Sequence, residues 1–177
     1  MSARVEGICD TNLKVEKRRG LPLVLTSALL AVSGEVAAFG FNVRDLREGK
    51  WIWEWNPDFD GPFDAWLAGD MVGLNWPGYE GIAVLCRQEG ACITTGIRWT
   101  SYATVATFSS LVDKIVIAIA RNLGAGEVVL LPDEGDSDAS NAFNLFFEGA
   151  PIKEILEKAR ANPIGRKYDL SGNQRVG

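Results

Sequence analysis

Thr107-Phe-Ser-Ser-Leu-Val-Asp-Lys-Ile-Val-Ile-Ala-Ile-Ala-Arg-Asn-Leu-Gly-Ala-Gly-Glu-Val-Val-Leu-Leu131 is the stretch whose reading decides the fold. Phe108, Leu111, Val112, Ile115, Ile119 and Leu123 recur at helical spacing, with Ser110, Asp113, Lys114, Arg121 and Asn122 between them. The pattern predicts an amphipathic helix over about 108–123 that buries one face. Thr107 or Ser109 suits its N-terminal cap, and Gly124 or Gly126 its left-handed ending. Glu127-Val-Val-Leu-Leu131 then reads as a buried strand, stopped by Pro132, which has no N–H to give a ladder. Each such side chain contributes roughly 1.5–3 kcal/mol on burial before entropy is counted, so this helix–strand unit anchors the core.

Before it lies a hairpin. Ile82–Arg87 and Ala91–Trp99 flank Gln88-Glu89-Gly90, a three-residue loop with glycine where the left-handed residue belongs. That register sets Cys86 opposite Cys92, on one face with Val84 and Thr94. Leu85, Ile93, Ile97 and Trp99 then face the helix. Further upstream, Arg4–Cys9 suits a short edge strand, and 22–32 a helix opened by Pro22 and closed by Ser33-Gly34. Val36–Val43 reads as a strand, Glu48-Gly49 as a turn, and Trp51-Ile-Trp-Glu-Trp55 as a strand with tryptophan at every second position. Residues 56–62 are loop, Phe63–Ala68 one or two helical turns, and Asn75-Trp-Pro-Gly78 a turn. Downstream, helices are predicted near 138–147 and from Pro151 to about Ala161. The stretch 164–177 has few apolar residues and is expected to be a mobile tail. The sum is one α+β domain over 1–163: a mixed or antiparallel sheet whose hairpin, about 82–99, packs on the central helix.

The 177 residues, 47% hydrophobic and 23% charged, suit one soluble domain. A net charge of −5 argues against nucleic acid or an anionic membrane as partner. Cys9, Cys86 and Cys92 make no CxxC and leave one thiol over in any pairing, which suits a reducing compartment. Histidine is absent, and with it the commonest general base and metal ligand. Lys14, Lys17, Arg18 and Arg19 ahead of Leu21–Val32 imitate a secretory signal, but Glu6, Asp10 and Glu16 spoil the leading segment. Twelve apolar-rich residues also fall short of the roughly 20 that span a bilayer, so the expectation is a cytoplasmic protein.

The informative feature is charge segregation. No Lys or Arg stands between Lys50 and Arg87, where Glu54, Asp58, Asp60, Asp64, Asp70 and Glu80 fall. None stands between Arg121 and Lys153, where Glu127, Asp133, Glu134, Asp136, Asp138 and Glu148 fall. If these windows adjoin, they form a negative face that steers a basic partner. The partner-binding residues expected are therefore Glu54, Asp58, Asp60, Asp64, Trp66, Asp133, Glu134, Asp136 and Asp138. With no recognisable catalytic motif, the reading is a non-catalytic acidic protein that caps a basic protein. An immunity or antitoxin-type inhibitor of a toxin is its most concrete form. A second reading is a carbohydrate- or small-ligand-binding domain that uses the tryptophans of 51–66. A third is a carboxylate hydrolase drawing on Asp58, Asp60, Asp133 and Asp136.

Two smaller patterns lead to bland expectations. Asn56-Pro-Asp-Phe-Asp-Gly61 opens like a calcium loop, but Leu67 stands where the bidentate Glu belongs, so no metal or other cofactor is expected. Cys86 and Cys92, with no base beside them, read as small apolar packing.

Overall fold

The structure, a computed structural model, describes residues 3–32, 51–76, 82–133 and 137–172, with backbone only for 137–140. Among these residues the chain runs β1 (Arg4–Asp10), α1 (Val15–Arg18), α2 (Leu21–Ala31), β2 (Ile52–Glu54), α3 (Pro62–Ala68) and β3 (Val72–Asn75). It continues through β4 (Ala83–Cys86), β5 (Gly90–Arg98), α4 (Trp99–Thr104), α5 (Ala106–Asn122) and β6 (Glu127–Pro132). It closes with α6 (Ser137–Glu148), α7 (Ile152–Ala161) and β7 (Arg166–Asp169). The strands form one antiparallel sheet in the order β2-β3-β4-β5-β1-β6-β7. The α+β class read from the sequence is the class observed. The expected strand at Val36–Val43 and the turns at Glu48-Gly49 and Pro77-Gly78 lie outside the described residues.

Helix α5 and strand β6 form where the apolar spacing puts them. Leu111, Val112, Ile115, Val116, Ile119 and Leu123 are all buried, and Val128 to Leu131 are at most 1% exposed. Gly124 takes the left-handed ending at φ 75°. The start differs from expectation: Val105 occupies the N-cap and no side chain caps the first amides. Ser109 Oγ instead donates to the Ala106 carbonyl at 3.0 Å.

The sheet is covered on both sides. One face, with Val5, Cys9, Val84, Ile93 and Leu130, meets α2, α3 and α5. The other, with Ile8, Cys92, Val129 and Leu131, meets Phe143, Phe146, Ile155 and Leu156 of α6 and α7. This explains the first correction: β1 is not an edge strand but lies between β5 and β6. Its polar Glu6 and Asp10 make it read as marginal, yet each has work on the α6–α7 side. Asp10 accepts the Gly126 and Glu127 N–H groups at 3.0–3.1 Å, which fixes the entry of β6.

The hairpin register is the second correction. Leu85 pairs with Cys92 and Cys86 with Ala91, while Arg87 N–H donates to the Gly90 carbonyl at 2.8 Å. The loop is therefore one residue shorter than predicted, and a one-residue slip sends Cys86 and Cys92 to opposite faces. Gly90 serves close approach rather than the turn. A Cβ there would fall 2.4 Å from Ile152 Cδ1 of α7. Trp99 opens α4 instead of ending the strand.

The third correction is the tail. Residues 166–169 form β7 on the open side of β6, where Tyr168 packs against the core and polar groups add further anchors. Tyr168 Oη donates to Asp113 Oδ2 at 2.7 Å, and Tyr102 Oη donates to Asp113 Oδ1 at 2.8 Å. The Arg166 guanidinium lies 4.6 Å from the Tyr102 ring centre, and Lys167 pairs with Glu127 at 3.2 Å.

Where α5 crosses β1, Gly7 leaves room for Val116: a Cβ on Gly7 would stand 2.8 Å from Val116 Cγ1. Gly7→Ala is expected to lower the free energy of unfolding by about 1–3 kcal/mol in urea titration. Gly172→Ala, with open space around it, is expected to leave stability within about 0.5 kcal/mol.

Candidate functional site

The first acidic window survives as a surface. Strand β2 stands at the end of the sheet and α3 packs beside it through Ala65 and Trp66. Between them, Asn56 Oδ1 accepts the Asp58 N–H at 3.1 Å, and the Phe59 N–H reaches the Asn56 carbonyl at 3.3 Å. This Asx turn carries the chain from strand to helix. Glu54, Asp58, Asp60 and Asp64 are all exposed, and none forms an ion pair with another described residue. Apolar groups share the edge: Ile52 is 50% exposed, Trp55 40% and Leu67 48%.

The three alternating tryptophans divide. Trp51 is buried edge-on against Trp76, with ring centres 5.3 Å apart. Trp53 is half-buried between Phe63 and Trp66. Only Trp55 of the three is exposed, so the three rings do not share one open face. Trp66 is fully buried. Its indole N–H donates to the Arg87 carbonyl at 2.9 Å and the Arg18 guanidinium lies 4.4 Å from its ring. It belongs to the core rather than to the exposed edge. The nearby Arg19 likewise stacks on Phe63 at 4.7 Å.

The second window is elsewhere. Strand β6 is sixth in the sheet and β2 first, five spacings apart, or roughly 24 Å. Cross-strand rows align Glu54 with Gly73, Leu85, Cys92, Ile8 and Val129, while Asp133 lies past the far end of β6 beside Arg4. Asp133 Oδ1 accepts the Arg4 N–H at 2.5 Å and its own N–H donates to the Arg4 carbonyl at 3.0 Å, so it clasps β1 to β6. Asp138 falls in the first turn of α6; Glu134 and Asp136 lie outside the described residues. The sheet order therefore sets Asp133 apart from Glu54 and from the Asp58 and Asp60 loop that follows β2.

Sequence reasoning missed Glu6. It points from β1 to the α6–α7 side, between Thr94 and Leu131. Beside it β5 bulges at Gly96, φ 64°, and Thr95 Oγ1 donates to the Val5 carbonyl at 2.8 Å. Burial raises the Glu6 carboxyl from 4.5 to about 7; the Cys92 thiol, donating at 3.4 Å, opposes the rise, and Asp133 adds to it. The available signal was an acid at the even position of a strand whose even positions face apolar cover. Among the described residues no group of three Cys, Asp or Glu side chains is placed to hold a metal ion. The three thiols are free and buried; burial pushes Cys86 to about 12 and Cys9 and Cys92 well above the usual range, which suppresses thiolate chemistry.

Between pH 4.5 and about 7 the folded chain keeps the Glu6 proton that the unfolded chain has released, so stability falls as pH rises through that window. For this partly screened group the loss is on the order of 2 kcal/mol. Urea titrations at both ends of the window should show it in the wild type and not in Glu6→Gln; equal slopes would show that Glu6 does not cause it. No helix among the described residues is long and apolar enough to cross a membrane. No protein-family model, curated protein or solved structure matches this chain.

Proposed function

We propose that this chain is a non-catalytic binding protein that docks a basic protein through the β2–α3 edge. The observation that carries this reading is the pairing of exposed Ile52, Trp55 and Leu67 with four carboxylates that lack ion-pair partners among the described residues. Such carboxylates steer a cationic surface into encounter, and an exposed tryptophan buries much area at small entropic cost once it arrives. No described strand lies outside β2, so its outer backbone groups are a further means of attachment. The reading rests on the first acidic window; Asp133 of the second stands five strand spacings from β2. An immunity or antitoxin-type inhibitor is the most concrete form, since toxins that act on nucleic acid present basic surfaces to an acidic plug.

Partners captured from the native host by the wild-type chain should be basic and should associate about tenfold or more slowly at high than at low salt. A Glu54→Gln, Asp58→Asn, Asp60→Asn, Asp64→Asn variant should lose that salt dependence, and Trp55→Ala should raise the dissociation rate. A captured partner whose association rate ignores both salt and these substitutions would refute the reading.

A further inference from the structure

A cation-lined cavity of about 600 Å³ opens where the β1–α1 connection meets the C-terminal end of α5. Lys14 and Lys17 come from one segment and Arg121 from another more than a hundred residues away; Glu16 is the only carboxylate in the lining. The lining charge is three cations less one anion, +2, in a chain whose net charge is −5. Unlike Arg18 and Arg19, which stack on rings, these three cations make no hydrogen bond or ion pair through their side chains among the described residues. Asn12 adds a carboxamide, Asn122 another whose N–H donates to the Ala118 carbonyl at 2.8 Å, and exposed Val24 gives the cavity an apolar side.

The floor is fixed by backbone. Asn12 N–H donates to the Leu123 carbonyl at 3.2 Å, and Thr11 N–H to the Glu89 carbonyl at 2.8 Å. Gly124, at φ 75°, lets the Asn12 backbone come so near that a Cβ would meet it at 3.2 Å. Two distant segments thus present their cations from a braced frame, and the volume falls in the range of small-molecule sites.

We infer that this cavity binds a small phosphate monoester, the dianionic head against Lys14, Lys17 and Arg121 and an apolar body against Val24. A phosphate monoester carries about −1.5 to −2 at neutral pH, which matches the +2 of the lining, where a monocarboxylate leaves half of it unbalanced. Lysine supplies point charge and arginine a planar fork for two phosphate oxygens. The site is independent of the β2–α3 edge, and either reading can fail without the other.

The test is a titration of the full chain, followed by NMR of the Arg121 Nε–H and the Asn12 and Asn122 carboxamides, with phenyl phosphate and with inorganic phosphate. Saturable shifts are expected for both, tighter for phenyl phosphate because of the apolar side. Arg121→Gln and Lys17→Gln change exposed side chains and should each weaken binding about tenfold without altering the fold. No saturable shift from either probe at millimolar concentration, or unchanged affinity in the double variant, overturns the proposal. Vesicles of phosphatidylcholine with and without phosphatidic acid separate a lipid-borne phosphate from a soluble one. Sedimentation with phosphatidic acid vesicles alone, and no shift with phenyl phosphate, also overturns it.

Discussion

The structure depends on the close crossing of α5 over β1 at Gly7. With no Cβ on Gly7, Val116 reaches the strand and α5 seats on the middle of the sheet. On the reverse side Ile8 is sealed by the α6–α7 cluster. A strand covered on both faces has only its two edges free for pairing, and β5 and β6 take them. That choice sets the rest of the order: β4, β3 and β2 build outward from β5, and β7 closes the side of β6.

Function follows from which groups this order leaves outside. It puts β2, with its carboxylates and exposed Trp55, on one edge, and it puts Asp133 on the far side, used up in clasping β1 to β6. Glu54 and Asp133 therefore stand on different parts of the sheet. The β2–α3 edge sets exposed carboxylates that lack ion-pair partners among the described residues beside exposed apolar side chains. The burial of Glu6 belongs to the same architecture: a carboxyl on the second face of a doubly covered strand gives up solvent and holds its proton more tightly.

What could be read from the sequence was what one periodicity determines. Helix α5 and strand β6 carry unmixed patterns and lie close to their predicted positions, as do α2, α6 and α7. The β4–β5 register was misread because Gly90 answers two demands in sequence terms, a left-handed turn or a close neighbour. The neighbour, Ile152, is more than sixty residues away. Strand β7 has little apolar signal to find: Tyr168 alone of its four residues packs on the core, and its other anchors are charges and a hydroxyl meeting Asp113, Tyr102 and Glu127. Local pattern also cannot tell that Trp66 turns inward while Trp55 stays in solvent; that depends on Arg18 stacking over one ring and not the other. Within the site, the acidic character of 54–64 was legible, and its separation from Asp133 was not, because separation is a property of strand order.

Zero-length carbodiimide cross-linking of the chain to its captured partner, mapped by mass spectrometry, tests the docking edge most directly. The account predicts that carboxylates of Glu54, Asp58, Asp60 and Asp64 join lysines of the partner. Cross-links confined to Glu127, Asp133 or the residues that follow would contradict it.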